Sequence, residues 1–141
     1  MKTRPYLNYG GNCEEAFRFY EKHLGGKIGM MMGFDQMPPQ PGAPQPPMKG
    51  ILHASLTLGD IDVMASDVPD GRFQPMRSAY LCLSVDTDQE ADRIYNVLSD
   101  GGEVFMPIGE TFFATRFAQL RDKFGTLWMI IHEKPMGPPR P

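Results

Sequence analysis

The sequence predicts an α+β protein in which a strand–helix–strand–strand–strand unit is made twice. Three observations predict it. The stretches 6–28 and 80–104 match: Tyr6-Leu7 against Tyr80-Leu81, Glu15-Ala16 against Glu90-Ala91, Tyr20 against Tyr95, and Gly25-Gly26 against Gly101-Gly102. Inside each stretch the apolar residues alternate first, as in a strand, and then recur at helical spacing. Each stretch is followed by two further alternating runs around a turn. A duplicated unit of this kind implies a cleft between related halves, and function is expected there.

The elements follow in order. In 6–9, Leu7 and Tyr9 alternate with Tyr6 and Asn8. Asn12 stands where a helix cap is needed, with Glu15 three residues on, the spacing of a capping box. Ala16, Phe17, Tyr20 and Leu24 form the helix stripe, and Gly25-Gly26 stops it. Residues 27–34 are apolar and methionine-rich, a second strand. The proline-rich segment 37–50 excludes helix and interior strand and is read as a long loop. It is a lid over the cleft or a plain spacer, and its PxxP spacing also leaves a protein-interaction reading. In 51–58, Leu52, Ala54, Leu56 and Leu58 share one face, and His53, Ser55 and Thr57 the other. Gly59-Asp60 turns the chain into 61–67. Residues 68–77 link the copies. In the second copy, Leu81, Leu83 and Val85 oppose Tyr80, Cys82 and Ser84. Thr87 and Glu90 form the stronger capping box, and Ala91, Ile94, Tyr95 and Leu98 the stripe. A short strand at 104–106 and a hairpin of 112–120 with 126–132, turned at Asp122, complete it. The chain thus reads as module one at about 3–67, module two at about 78–133, and a disordered tail at 134–141.

Composition narrows the function. A chain of 141 residues fits one domain. A net charge of -3 argues against a nucleic-acid partner. No apolar run approaches the ~18 residues of a membrane span, and the first residues lack a signal peptide's apolar core. Two cysteines without an export signal suggest reduced thiols in a cytoplasm. The eleven methionines suit either ordinary core packing or an adaptable pocket.

At this point the chain resembles the vicinal oxygen chelate superfamily, the glyoxalase/bleomycin-resistance fold, and more narrowly its PhnB-like branch. PYLNYGGNCEEAFRFY, HASLTLGDIDVMASD and ETFFATRFAQLRDKFGTLWMI carry the resemblance. It covers the chain except the proline loop and tail. It implies two βαβββ modules whose mixed sheets curl into a cup with helices outside, within a homodimer, holding a small organic ligand and often a divalent metal. It does not name a reaction. Relatives include isomerases, lyases, dioxygenases and binding proteins without chemistry.

Superfamily enzymes place a ligand, typically His or Glu, on the first and last strand of each module. Carried over, these positions fall on Pro5 or Tyr6, on Val63 flanked by Asp62 and Met64, on Tyr80, and on Met129. None is His or Glu, and Tyr and Met suit hard divalent ions poorly. The leading expectation is therefore a small-molecule-binding protein with no cofactor. Its pocket is expected at Tyr6, Asn8, His53, Tyr80 and Cys82, with Phe112, Arg116 and Trp128 along the wall. His53 is the candidate catalytic residue, a general base near neutral pH, and a solvated surface residue otherwise. The alternative is a metal-dependent lyase, isomerase or dioxygenase with rearranged ligands, for which His53, Asp62 and Glu110 are the candidates. Glu110 and Arg116 together would grip a polar ligand or form a surface ion pair. Cys13, at a helix start, is either a dipole-activated thiol or a packed one. His23 sits near a helix end, where the dipole favours it, and His132 is expected to be exposed.

Overall fold

The computed structural model describes residues 1–38, 41–42, 49–68 and 71–135. The chain divides into two compact units, Met1–Pro75 and Met76–Pro141. Most of the expected proline loop and nearly all of the expected disordered tail lie outside the described residues.

The first unit runs β1 (Tyr6–Tyr9), α1 (Cys13–Leu24), β2 (Lys27–Gly33), a 3-10 turn (Phe34–Gln36), β3 (Ile51–Leu58) and β4 (Ile61–Asp67). Its four strands lie in the order β1-β4-β3-β2. The β1–β4 pair is parallel and the others antiparallel, so the sheet is mixed. A βαβββ path requires this: the helical crossover lets β1 run parallel to β4, while hairpins join β2, β3 and β4. Gly59, at φ 59°, makes the two-residue turn between β3 and β4, a backbone conformation natural to glycine.

The second unit repeats the path with β5 (Leu81–Ser84), α2 (Asp88–Ser99), β6 (Glu103–Gly109), β7 (Ala114–Arg121) and β8 (Leu127–Glu133). Its sheet order is β5-β8-β7-β6, with β5 parallel to β8. The expected α+β class and the paired βαβββ modules are both present. Strand ends moved modestly: β6 is longer than expected, and β7 starts at Ala114 because Phe112-Phe113 bend before it.

In each unit one sheet face packs on the helix; the opposite face is largely polar and partly exposed in the first unit, and in the second it also carries the buried Phe117 and Leu127. Alternation assigns Ala54, Leu56, Leu58, Val63 and Ala65 to the α1 side, where all are buried against Ala16, Phe17 and Tyr20. In the second unit Ala118, Leu120, Trp128 and Ile130 lie beneath Ala91, Ile94 and Leu98 of α2.

The helix starts differ. Thr87 caps α2 as expected, its hydroxyl accepting from Glu90 N–H at 3.1 Å. Asn12 makes no side-chain capping bond on α1. There the carboxylate of Asp67, at the end of β4, accepts from Cys13 N–H at 3.1 Å and from Gly11 N–H at 2.8 Å. Its other oxygen accepts from Ile51 N–H at 2.8 Å. One buried carboxylate thus joins three chain segments and places negative charge at the positive end of the helix.

Candidate functional site

The open face of the first sheet carries three of the expected pocket residues. Tyr6 and Asn8 point there from β1, beside Met64 and Ser66 of β4. His53, Ser55 and Thr57 follow on β3, opposite Met32, Met30 and Lys27 of β2. Residues opposed across strands share a face, so register alone collects this set. The Tyr6 hydroxyl and His53 Nδ1 are 3.3 Å apart, their rings 5.8 Å between centroids. In one imidazole tautomer the phenol donates to Nδ1; in the other, Nδ1–H donates to the phenol oxygen. Ser66 Oγ donates to Asn8 Oδ1 at 3.2 Å. Tyr6 and Met30 remain 46% and 45% exposed, so the face combines apolar surface with a few oriented polar atoms, the usual make-up of a ligand site.

In the second unit Cys82 lies on the open face, between Met129 of β8 and solvent. Tyr80 precedes β5 and lines a cavity of about 210 Å³ with Arg77, Ser78, Phe105, Arg121 and Leu127. Arg121 Nη1 donates to Glu103 at 3.1 Å and Nη2 to the Met76 carbonyl at 2.9 Å. Its guanidinium stacks 5.4 Å from the Phe105 ring centre. Its Nε is buried without a hydrogen-bond partner.

The three expected wall residues do not join this face. Trp128 is 0% exposed on the α2 side, its Nε1–H donating to buried Asp122 at 2.8 Å. Asp122 also accepts from Phe124 and Thr126 N–H, at 2.9 and 3.0 Å, and so builds the β7–β8 turn. Arg116 shares the parity of Ala118 and Leu120, so it too turns toward α2. It lies 3.0 Å from Asp92 and 3.5 Å from Asp88. Phe112 is 93% exposed in the bend before β7. The expected Glu110–Arg116 grip is absent, because Glu110 pairs with Lys134 at 2.9 Å.

A polar cluster not expected from sequence surrounds Asp88. Its Oδ1 accepts from the Thr115 hydroxyl at 2.6 Å and lies 2.8 Å from His132 Nδ1. Hydrogen bonds from Thr115 and His132 hold the Asp88 carboxyl below its ordinary range, with the Arg116 charge adding to them. His132 is therefore half-buried rather than exposed.

The thiols divide cleanly. Burial, reinforced by the Asp67 and Glu14 charges, pushes Cys13 up to about 12. The dipole-activated reading fails because a packed thiol beside carboxylates loses more from desolvation than a helix start returns. Cys82 is also raised, first by partial burial and then by Glu133.

The metal candidates His53 and Asp62 do not converge. Asp62 accepts from the Thr57 hydroxyl at 2.9 Å. Thr57 is four residues along β3 from His53, roughly 13 Å at the strand rise, too far for both side chains to hold one ion. Glu110 pairs with Lys134. The positions carried over from the superfamily fit no better. Val63 is buried on the α1 side, and its open-face neighbour Met64 sits beside Tyr6. Met129 sits beside Cys82. Among the described residues no group of three His, Cys, Asp or Glu is placed to hold a metal ion.

A larger cavity, about 460 Å³, opens beside α1 and the 3-10 turn. Gly11, Glu14, Arg18, Asp35, Lys49 and Asp67 are among its lining residues. It borders the proline segment, much of which lies outside the described residues.

With this geometry in place, comparison with known proteins settles the family. A model of the glyoxalase/bleomycin resistance protein/dioxygenase superfamily matches residues 6–130. The chain belongs to that superfamily. The protein YjdN of Escherichia coli is 32% identical over 139 residues, spanning 92% of this chain and 94% of the relative. The crystal structure of protein PA1353 from Pseudomonas aeruginosa is 37% identical. It matches with a TM-score of 0.85 over 96% of this chain and 99% of that one. The PhnB protein from Bacillus cereus, described provisionally as a 3-demethylubiquinone-9 3-methyltransferase, is 25% identical. Its TM-score is 0.80, over 94% and 99% of the two chains. The PhnB-like resemblance is thus upheld. The methyltransferase description finds no counterpart in this chain's motifs: Gly25-Gly26 and Gly101-Gly102 follow helices, and Gly10-Gly11, in the β1–α1 turn, lacks the G-x-G-x-x-G spacing of a nucleotide-binding βα turn. No helix among the described residues is long and apolar enough to cross a membrane.

Proposed function

We propose that this protein binds a small organic molecule on the open sheet faces of its modules, as a homodimer, without the divalent metal that many superfamily members use. The observation that carries the reading is the Tyr6–His53 pair, set on a strand face among Met30, Met32 and Met64. Flexible thioethers supply adaptable apolar contact, while the phenol and imidazole orient a polar group. Tyr6, Asn8, His53, Tyr80 and Cys82 are the residues assigned to ligand contact. Trp128, Arg116 and Phe112 are not included, since burial, ion pairing or position in the bend occupies them. The metal-free part of the reading rests on donor chemistry: the positions carried over from the superfamily, Pro5 or Tyr6, Val63, Tyr80 and Met129, offer neither His nor Glu.

The test is a thermal-shift screen of small organic molecules on wild type and His53→Ala, with metal content measured beside it by elemental mass spectrometry. A compound that stabilises wild type and binds at least about tenfold more weakly to His53→Ala (a loss near 1.4 kcal/mol) supports the reading. Near-stoichiometric metal lost in His53→Ala sinks it in favour of the metalloenzyme alternative.

A further inference from the structure

We propose that the cavity beside β5 is an acid-binding subsite, taking the carboxylate or phosphate of a ligand whose body is aromatic or otherwise flat and apolar. The inference rests on the ligand-binding reading above and names the chemical class of the ligand.

Two arginines and two aromatic residues line the cavity: Arg77, Arg121, Tyr80 and Phe105. In a chain of net charge -3, two arginines at one small cavity are a local reversal of sign. Arg77 has no ion pair among the described residues. Arg121 presents five N–H donors. One is taken by Glu103 and one by the Met76 carbonyl. Its Nε–H is buried with no acceptor, which buried donors rarely tolerate. Glu103 is the one acid paired there, and it is 62% exposed, so water already screens its hold on Arg121. An incoming oxyanion can share the guanidinium through the unused N–H groups of Nη1 and Nη2, the planar fork being suited to such groups.

The apolar half of the ligand follows from the walls. Phe105 is exposed and already stacks on Arg121, and Tyr80 and Leu127 complete the lining. The cavity, about 210 Å³ and open to solvent on one side, has room for one ring together with its acidic group, since an enclosed cavity of about 150 Å³ accommodates benzene. Backbone geometry marks the same spot. Ser78, at φ 56°, is the one non-glycine residue with positive φ among those described, and such conformations gather at ligand clamps.

The experiment measures binding of benzoate, benzamide, phenyl phosphate and inorganic phosphate to the full chain by calorimetry and thermal shift. Wild type should bind benzoate or phenyl phosphate at least about tenfold more tightly than benzamide, less tightly as salt rises. Whichever of the two acids binds better identifies a carboxylate or a phosphate ligand. Arg77→Ala should weaken the acid about tenfold and leave benzamide unchanged. Arg121→Lys should do the same, and because Arg121 also ties Glu103 to Met76, Arg77→Ala is the deciding variant. Equal affinity for benzoate and benzamide, or acid affinity untouched in Arg77→Ala, overturns the proposal. Inorganic phosphate binding as tightly as phenyl phosphate overturns its apolar half. If none of the acids binds, while a neutral compound does and is lost in His53→Ala, the subsite fails and the ligand-binding reading survives. If no compound of either kind binds, both fail.

Discussion

At matched positions of the two sheets, module one carries Asp67 where module two carries Ile130. Tyr9 pairs with Asp67, and Leu83, its counterpart in the repeat, pairs with Ile130. Two residues earlier, on the same face, the pairing matches Ala65 with Trp128. Both modules close on the same topology, yet each spends its buried carboxylate in a different place. In module one it sits at the end of β4 and holds the start of α1 and of β3. In module two it moves to Asp122, where it builds the hairpin turn and satisfies the indole of the larger core residue. The start of α2 is held instead by Thr87 and by the half-exposed Asp88 cluster. The repeat therefore preserves path and pairing while leaving polar satisfaction free to be solved locally.

The largest effect expected from breaking this asymmetry is at Asp67. Asp67→Ala strands two buried N–H groups and a partly buried one and should cost about 4 kcal/mol, read as a fall in denaturant midpoint. Conversely, a loss under about 1 kcal/mol would mean that α1 is held by something else. Next comes Trp128→Phe, which keeps an aromatic side chain but removes the Nε1–H donor from Asp122 and part of the buried volume. About 2 kcal/mol should be lost, and an unchanged melting temperature would show that the indole bond adds nothing to the turn.

A smaller, pH-dependent difference separates wild type from Asp88→Asn. The Asp88 carboxyl is held below its ordinary value of 3.8, so its contribution to stability is fully present above that value. It is lost as pH falls through the lowered folded value. The gap in melting temperature should close as pH falls from about 4 toward 2; a gap that widens over that range would contradict the cluster. The finest comparison uses the two thiols. Under native conditions at pH 7, iodoacetamide should label Cys82 slowly and Cys13 not at all. Rapid labelling of Cys13 would show that module one opens at the start of α1.

Much of this was legible in the chain, for reasons that differ by residue. His53, Ser55 and Thr57 alternate with apolar residues, so the shared face of β3 could be read directly. Arg116 was also legible in principle: it has the parity of Ala118 and Leu120, which turns it toward α2. Considering it as a partner of Glu110 passed over that signal. Asn12 shows the limit of local motifs, because its capping-box spacing is present while the helix start is held by a residue far along the chain.

The sequence by itself determined the two βαβββ modules, the superfamily, the α2 cap and the strand faces. These depend on periodicity and on contacts a few residues apart, which a linear chain displays. The tertiary structure alone decided that Asp67 would serve α1, that Trp128 would face Asp122, and that Arg77, Tyr80, Phe105 and Arg121 would meet at one cavity. Each of those depends on strand register and on the turns and bulges that set it. A one-residue slip would turn the same side chains to the other face.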